Sequence, residues 1–282
     1  MNSTKSYSLS VFMVFMGAVF WSLNAPLVKY VHMDPILVCG LRSLIAGLTL
    51  SPFIRFEKLH FNRWLVLYLL SYTSLCVGII FALSMTSATI AIGMQYSSVI
   101  WIFLFEWLFR GDLIKKRFFS VGLITIGVVF FMISGGSSGT SLGNLIAFTE
   151  GISFVGITVC GKKAGAENPL GVTALANLFC SAFTSCFQSF SLAGIQLITT
   201  QNWLILFLLG VVQIGLGYSF YNIGIKRVPP QKASIIAIWE MILGPVWVAL
   251  LIGEIPSAIV VIGFVLIIAG IFIDTMITPA SF

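Results

Sequence analysis

Three ionisable side chains, Arg42, Glu150 and Glu240, stand inside long apolar runs. In hydrocarbon each costs roughly 2.5–3.5 kcal/mol on insertion scales, so each needs a partner, a water-filled cavity or a role. Glu240 is the tenth residue of the run 231–252, beside Trp239 and shortly before Gly244-Pro245. Pro245 cannot donate to the Met241 carbonyl, so it is expected to bend the helix and leave an acceptor free near the carboxylate. Glu240 is therefore the leading candidate for substrate binding or proton coupling; the competing reading is a carboxylate neutralised by a neighbouring helix for packing alone. Arg42 and Glu150 each lie seven residues into their runs, about 10 Å deep at 1.5 Å per residue. They are expected to meet as an intramembrane charge pair, either a structural lock or a contact to substrate.

Uncharged polar and aromatic groups gather at similar depth: Trp21 and Asn24, Tyr68 and Tyr72, Gln95 and Tyr96, and Gln213, Tyr218, Tyr221 and Asn222. Tyr68, Tyr72 and Cys76 share a helical face, as do Tyr218 and Asn222. Such a wall can hold an amphipathic solute by stacking and hydrogen bonding. Interhelical packing accounts for any one of these residues; as a set they favour a cavity. Trp21, Asn24, Tyr72, Gln95, Tyr96, Gln213, Tyr218, Asn222, Trp239 and Glu240 are the candidate substrate-binding residues. Glu106, Asp112, Glu254 and Asp274 lie at the ends of runs, where solvation or helix capping explains them.

No cofactor is expected. His32 and His60 fall in loops, and no His, Cys and carboxylate cluster has metal-ligand spacing. The five cysteines, Cys39, Cys76, Cys160, Cys180 and Cys186, all fall inside apolar runs and read as buried thiols. No GxxxxGK[ST] phosphate cradle occurs, so ATP-driven pumping is not expected. A catalytic constellation at one depth is missing as well, so the chain does not read as an enzyme.

The elements that must position these groups are helices. Of 282 residues 59% are hydrophobic and 9% charged, against roughly a quarter charged in a soluble domain. That balance excludes soluble, disordered and nucleic-acid-binding classes. Apolar runs long enough to cross a bilayer follow one another with short connectors. Ten spans are expected, at about 8–29, 35–55, 64–85, 88–108, 118–134, 143–161, 169–192, 203–225, 231–252 and 256–277. The runs are continuous rather than alternating, which favours helices over a β-barrel. The first reads as a retained span rather than a cleaved signal. Asp34-Pro35, Asn168-Pro169, Pro229-Pro230 and Pro256 mark helix starts.

With the N-terminus cytoplasmic, thirteen of the fifteen Lys and Arg residues fall on the inner side, Lys29 falls on the outer side, and Arg42 lies within a span. The positive-inside rule thus predicts both termini in the cytoplasm. The halves also resemble each other. Phe20-Trp21-Ser22, Lys29 and Pro35 answer to Ser153-Phe154, Lys163 and Pro169, with the lysine six residues before the proline in both. Ile90-Ala91-Ile92 matches Ile236-Ala237-Ile238, Gly111-Asp112 matches Gly253-Glu254, and glycine-spaced runs at 122–127 and 263–270 correspond. Five spans separate each pair. Five is odd, so the second copy enters the membrane inverted, a hallmark of secondary transporters. The expected fold is an all-α integral membrane protein of ten transmembrane helices in two inverted five-helix repeats, 1–134 and 141–282, joined by a linker loop at 135–140.

The chain resembles the drug/metabolite transporter superfamily, EamA-domain type, over essentially its whole length. The resemblance rests on Gly-Ala-Val-Phe-Trp-Ser-Leu-Asn at 17–24, Arg42 after Pro35, Met85-Thr86-Ser87-Ala88, and Gly244-Pro245 through Leu251-Ile252-Gly253-Glu254. The first half departs from the pattern in Gly111-Asp112 and in having no proline in the fourth span, so the two halves are not expected to bend alike. The resemblance implies a central cavity between the halves and transport of small organic molecules, often export. The expected activity is secondary transport of a metabolite or amino-acid-like solute across the plasma or inner cell membrane by alternating access. A channel or non-catalytic membrane scaffold is the alternative. Expected partners are the small-molecule substrate, membrane lipid and protons as one coupling ion; no nucleic acid is expected, and the chain is read as monomer or homodimer.

Overall fold

The computed structural model describes residues 2–110, 117–134, 140–165, 167–187 and 198–277. Among these no β-strand occurs; every regular element is helical. Within hydrocarbon a helix satisfies its own backbone, which is the reason such a composition folds this way. In chain order the helices are α1 (Asn2–Ser22), α2 (Asn24–Tyr30), α3 (Pro35–Leu50), α4 (Arg63–Met85), α5 (Ala88–Gln95), α6 (Ser98–Arg110), α7 (Arg117–Ile133) and α8 (Ser141–Gly165). They continue with α9 (Pro169–Ser185), α10 (Thr200–Phe207), α11 (Gly217–Gly224), α12 (Pro230–Ile252) and α13 (Ala258–Ile277), with a π-helical stretch, Leu208–Leu216, between α10 and α11.

Among the described residues eight helical segments are long and apolar enough to cross a membrane, and two shorter apolar helices, α7 and α9, have 17 residues each. The chain is a multi-pass membrane protein. Large apolar side chains such as Phe119 (65% exposed) and Leu250 (71% exposed) point outward, while Ser43, Ser120, Asn144 and Asn177 are fully buried. Apolar groups face the lipid and hydrogen-bonded polar groups glue the helices together. The sequence punctuation holds: Asp34 Oδ1 caps α3 through the Ile36 and Leu37 amides at 2.9 and 3.2 Å, and Asn168 Oδ1 caps α9 through Gly171 at 3.1 Å, each ahead of a proline in the first turn.

The helix breaks differ from expectation. The first run does break, at Leu23 between α1 and α2, three residues before Pro26. The ninth, α12, stays continuous through Pro245, whereas the fourth breaks at Tyr96-Ser97 with no proline present. At that break Ser97 Oγ turns to the Phe148 carbonyl of α8 at 3.3 Å, and Gly151 of α8 brings the two backbones together. The backbone ladder tightens there to i→i−3 bonds, from the Tyr96 amide to Gly93 at 3.2 Å and from the Ser97 amide to Met94 at 2.9 Å, without a proline ring. Cys39, Cys76, Cys160 and Cys180 are buried, but Cys186, expected inside the seventh span, caps the end of α9 and is exposed. The linker 135–139, Gly111-Asp112 and the side chain of Glu106 lie outside the described residues.

Packing runs across the chain midpoint: α3 lies on α9, α7 on α13, α4 on α8, and α1 on α11 and α12. The α7–α13 contact is closest at Gly127 and Gly263. A Cβ at either would fall 2.5 or 2.9 Å from the other's carbonyl oxygen, so only glycine permits this approach. One end of that contact carries a buried ion pair. Arg117 Nε meets Asp274 Oδ1 at 2.8 Å, Arg117 Nη2 donates to Oδ2 at 3.1 Å, and Ser120 Oγ donates to Oδ1 at 3.0 Å. Asp274, expected to be solvated, is 8% exposed because α7 supplies the guanidinium.

Candidate functional site

Trp21, at the last turn of α1, forms the centre of an aromatic wall. Its ring lies 5.0 Å from Tyr218 and 4.7 Å from Tyr221 of α11. Tyr218 in turn meets Tyr72 of α4 at 6.5 Å, and Tyr72 stacks on Tyr68 at 6.0 Å with 28° between planes. Gly217 makes room for the indole, since a Cβ there would come within 2.6 Å of it. Asn177 of α9 donates to the Tyr72 hydroxyl at 2.8 Å. Tyr68 and Tyr221 belong to this wall as fully as the candidates do. Asn177 was not singled out in the sequence, although a lone amide in an apolar run was the available signal.

Arg42 of α3 closes the wall on one side. Its Nη1 donates to Asn24 Oδ1 of α2 at 2.6 Å and its Nη2 to the Cys76 carbonyl of α4 at 3.3 Å. The guanidinium is 3% exposed, and among the described residues no carboxylate lies within ion-pair distance of it. The expected pair with Glu150 is not formed. Glu150 lies instead against Gly78 of α4, where a Cβ would overlap its carboxylate. Arg42 and Glu150 thus reach the same turn of α4, and the Cys76 thiol lies within electrostatic reach of both. Position along a run does not say which groups of a third helix intervene. Because no hydrogen bond or ion pair joins them directly, Arg42→Ala and Glu150→Ala are each expected to destabilise the folded protein, with a coupling that stays below about 1 kcal/mol in combination. A coupling above about 1 kcal/mol in thermal-unfolding measurements would restore the pair.

Glu240 of α12 is partly buried, with Oε2 accepting from the Tyr96 hydroxyl at 3.3 Å. The phenols of Tyr218 and Tyr221 lie within electrostatic reach of the same carboxylate. Trp239, one residue earlier and about 100° round the helix, is 45% exposed and packs edge-on against Phe15 at 5.9 Å. It is not brought to the wall, a correction that follows from helical period alone. Asn222 spends its amide on the Tyr218 carbonyl of its own helix at 2.9 Å, and Gln95 is half-buried at the end of α5. Gln213 is 8% exposed within the π-helical stretch, a feature with no sequence signal; π-helical turns recur at functional sites because they re-aim side chains.

Hydrogen-bonding capacity is left over here. Beside the wall, Trp21 Nε1 and Arg42 Nε are buried donors without partners and Asn177 Oδ1 is a buried acceptor without one, while further such atoms, Gln213 Oε1 and Ser257 Oγ among them, occur elsewhere. Buried polar atoms are nearly always paired, so such a group of orphans in one region fits a ligand that supplies both donors and acceptors. Among the described residues no group of three His, Cys, Asp or Glu side chains can hold a metal ion.

A bundle of apolar helices thus encloses a polar, aromatic centre. The chain belongs to the EamA-like transporter family, whose profile matches it twice, over residues 8–133 and 141–276. Two copies of one unit thus make up the chain. No curated protein matches. One crystal structure of another protein superposes with a TM-score of 0.62, covering 95% of this chain and 97% of that one at 18% identity, which shows a shared fold.

Proposed function

We propose that this protein is a secondary transporter that moves a small amphipathic organic solute by alternating access, using ten spans in two inverted halves. The observation that supports it most is the set of orphaned donors and acceptors, Trp21 Nε1, Arg42 Nε and Asn177 Oδ1, beside an aromatic wall drawn from both repeats. Arg42 would receive an anionic or carbonyl group of the solute by charge-assisted hydrogen bonds, the rings its apolar body, and Glu240 an ammonium or a proton. An amino-acid-like zwitterion meets all three. The positive-inside bias puts both termini in the cytoplasm of a cell-membrane protein, and export is the direction the resemblance suggests.

At the Lys29 end, side chains tie three connections together. At the opposite end a surface crevice of 340 Å³ runs beside the α1–α11 contact, lined by Leu9, Ser10, Met13, Ile223, Lys226 and Arg227, while Gly224 packs closely on Ser10 and Val14.

A thermal-shift screen of the purified protein against amino acids, organic cations and carboxylated metabolites, followed by proteoliposome flux with and without a pH gradient, tests this reading. Saturable flux of one solute class is expected. Stabilisation without flux, or no response across the library, would leave a channel or scaffold as the better account.

A further inference from the structure

Resting on the alternating-access reading, we propose that Lys29 and Glu254 are the gate residues at their end of the transport path, forming a latch that closes it in the conformation described. Lys29, in the last turn of α2, meets Glu254 Oε2 at 2.7 Å and also donates to the Thr86 carbonyl at 2.9 Å. The other carboxylate oxygen, Oε1, accepts from the Ala88 amide at 2.7 Å, at the start of α5. Four groups on three separate connections therefore converge: the end of α2, the α4–α5 turn and the α12–α13 turn. The side chains are 16% and 26% exposed, so the pair sits where water reaches it once the connections part, and can break and re-form.

The chain is shaped to place this carboxylate. Gly253 ends α12 with φ +77°, the left-handed conformation that turns the backbone so that Glu254 folds back over α5. The anion then lies at the amino end of α5, where amide groups and helix dipole favour it. An ordinary surface ion pair contributes little. A partly buried pair in which both partners also hold backbone groups of other segments couples the position of those segments.

The internal repeat supplies a second, independent observation. Lys29 corresponds to Lys163, six residues before Pro35 and Pro169 respectively, and Gly253-Glu254 corresponds to Gly111-Asp112. Inversion puts the counterpart at the opposite end of the bundle. There Lys163 rests on the face of Trp64, 3.8 Å from the ring centroid; Asp112 lies outside the described residues. Exchange of conformations between inverted halves requires that one end be latched while the other is not. Among the described residues, Lys29 is bound to a carboxylate at one end and its counterpart Lys163 rests on an aromatic ring at the other, an asymmetry of the kind that requirement calls for.

Hydrogen–deuterium exchange of the full-length protein in nanodiscs tests the latch without needing a solute. Lys29→Met keeps the apolar stem, Glu254→Gln keeps an acceptor for Ala88, and Lys29→Arg keeps the charge. In the Met and Gln variants the segments 86–95 and 250–258 are expected to exchange about fivefold faster, the low end of ordinary conformational coupling. In the same variants the crevice segment 221–228 is expected to slow, while Lys29→Arg stays near wild type. Faster exchange confined to the Lys29 end would show a purely structural tie and overturn the proposal, as would unchanged exchange at both ends. If Lys29→Met does not fold, Glu254→Gln, which keeps the α5 contact, reads the same reciprocity. Failure of the flux experiment with reciprocity intact would overturn the transport reading and leave a two-state latch standing.

Discussion

Glu240→Gln is expected to lower proteoliposome flux roughly 10- to 100-fold and to remove its pH dependence while leaving the amount of folded protein unchanged. The amide has the carboxylate's shape and keeps an acceptor for the Tyr96 hydroxyl, 3.3 Å away in the native protein, so packing on α5 survives. What is lost is the negative charge facing the Trp21, Tyr218 and Tyr221 wall. A hydrogen bond to a charged group contributes about 1.5–3 kcal/mol, which converts to the stated range in flux at low solute concentration. Tyr96→Phe removes one donor and keeps the charge, so its effect is expected to stay below about tenfold. Flux in Glu240→Gln that still responds to pH would take this carboxylate out of the mechanism.

The largest stability effect is expected from Arg117→Ala. The guanidinium is 2% exposed, makes two bonds to Asp274 and lies 5.7 Å from the Phe103 ring centre. Removing it leaves a buried carboxylate with only Ser120 Oγ as a short-range donor among the bonds seen at that group. Breaking a buried pair in this way costs about 3–5 kcal/mol, to be read as a drop in unfolding temperature in detergent. The double replacement Arg117→Met with Asp274→Leu removes both charges and is expected to recover most of the loss, since the pair's own desolvation nearly offsets its attraction. A double variant as unstable as Arg117→Ala would mean that the pair is not what holds α7 on α13 at that end.

The two cases separate what was legible from what was not. Asp274 was readable as an acid in the last turn of an apolar run, but its partner starts a helix 157 residues earlier, and no periodicity links them. Trp21, Tyr72, Tyr96 and Tyr218 were recognised by depth, and the structure brings them towards one centre. Trp239 had the same depth and turns outward, because one residue shifts a side chain about 100°. Arg42 and Glu150 share a depth without touching.

Composition and the continuity of the apolar runs alone determined that the chain is helical and membrane-embedded, because in hydrocarbon the backbone must be satisfied by a helix or a closed barrel, and barrel strands alternate. The matching order of Lys29, Pro35 and Gly111-Asp112 with Lys163, Pro169 and Gly253-Glu254 made the two-unit organisation readable as well, since a repeat is a property of one dimension. Only the tertiary structure decided which groups of α4 each buried charge meets, that α12 stays unbroken through Pro245 while the fourth run breaks at Tyr96, and that Lys29 closes on Glu254. These depend on the rotation of one helix against another, and that rotation is set by pairwise packing of small residues such as Gly78, Gly127 and Gly263 across helices distant in the chain.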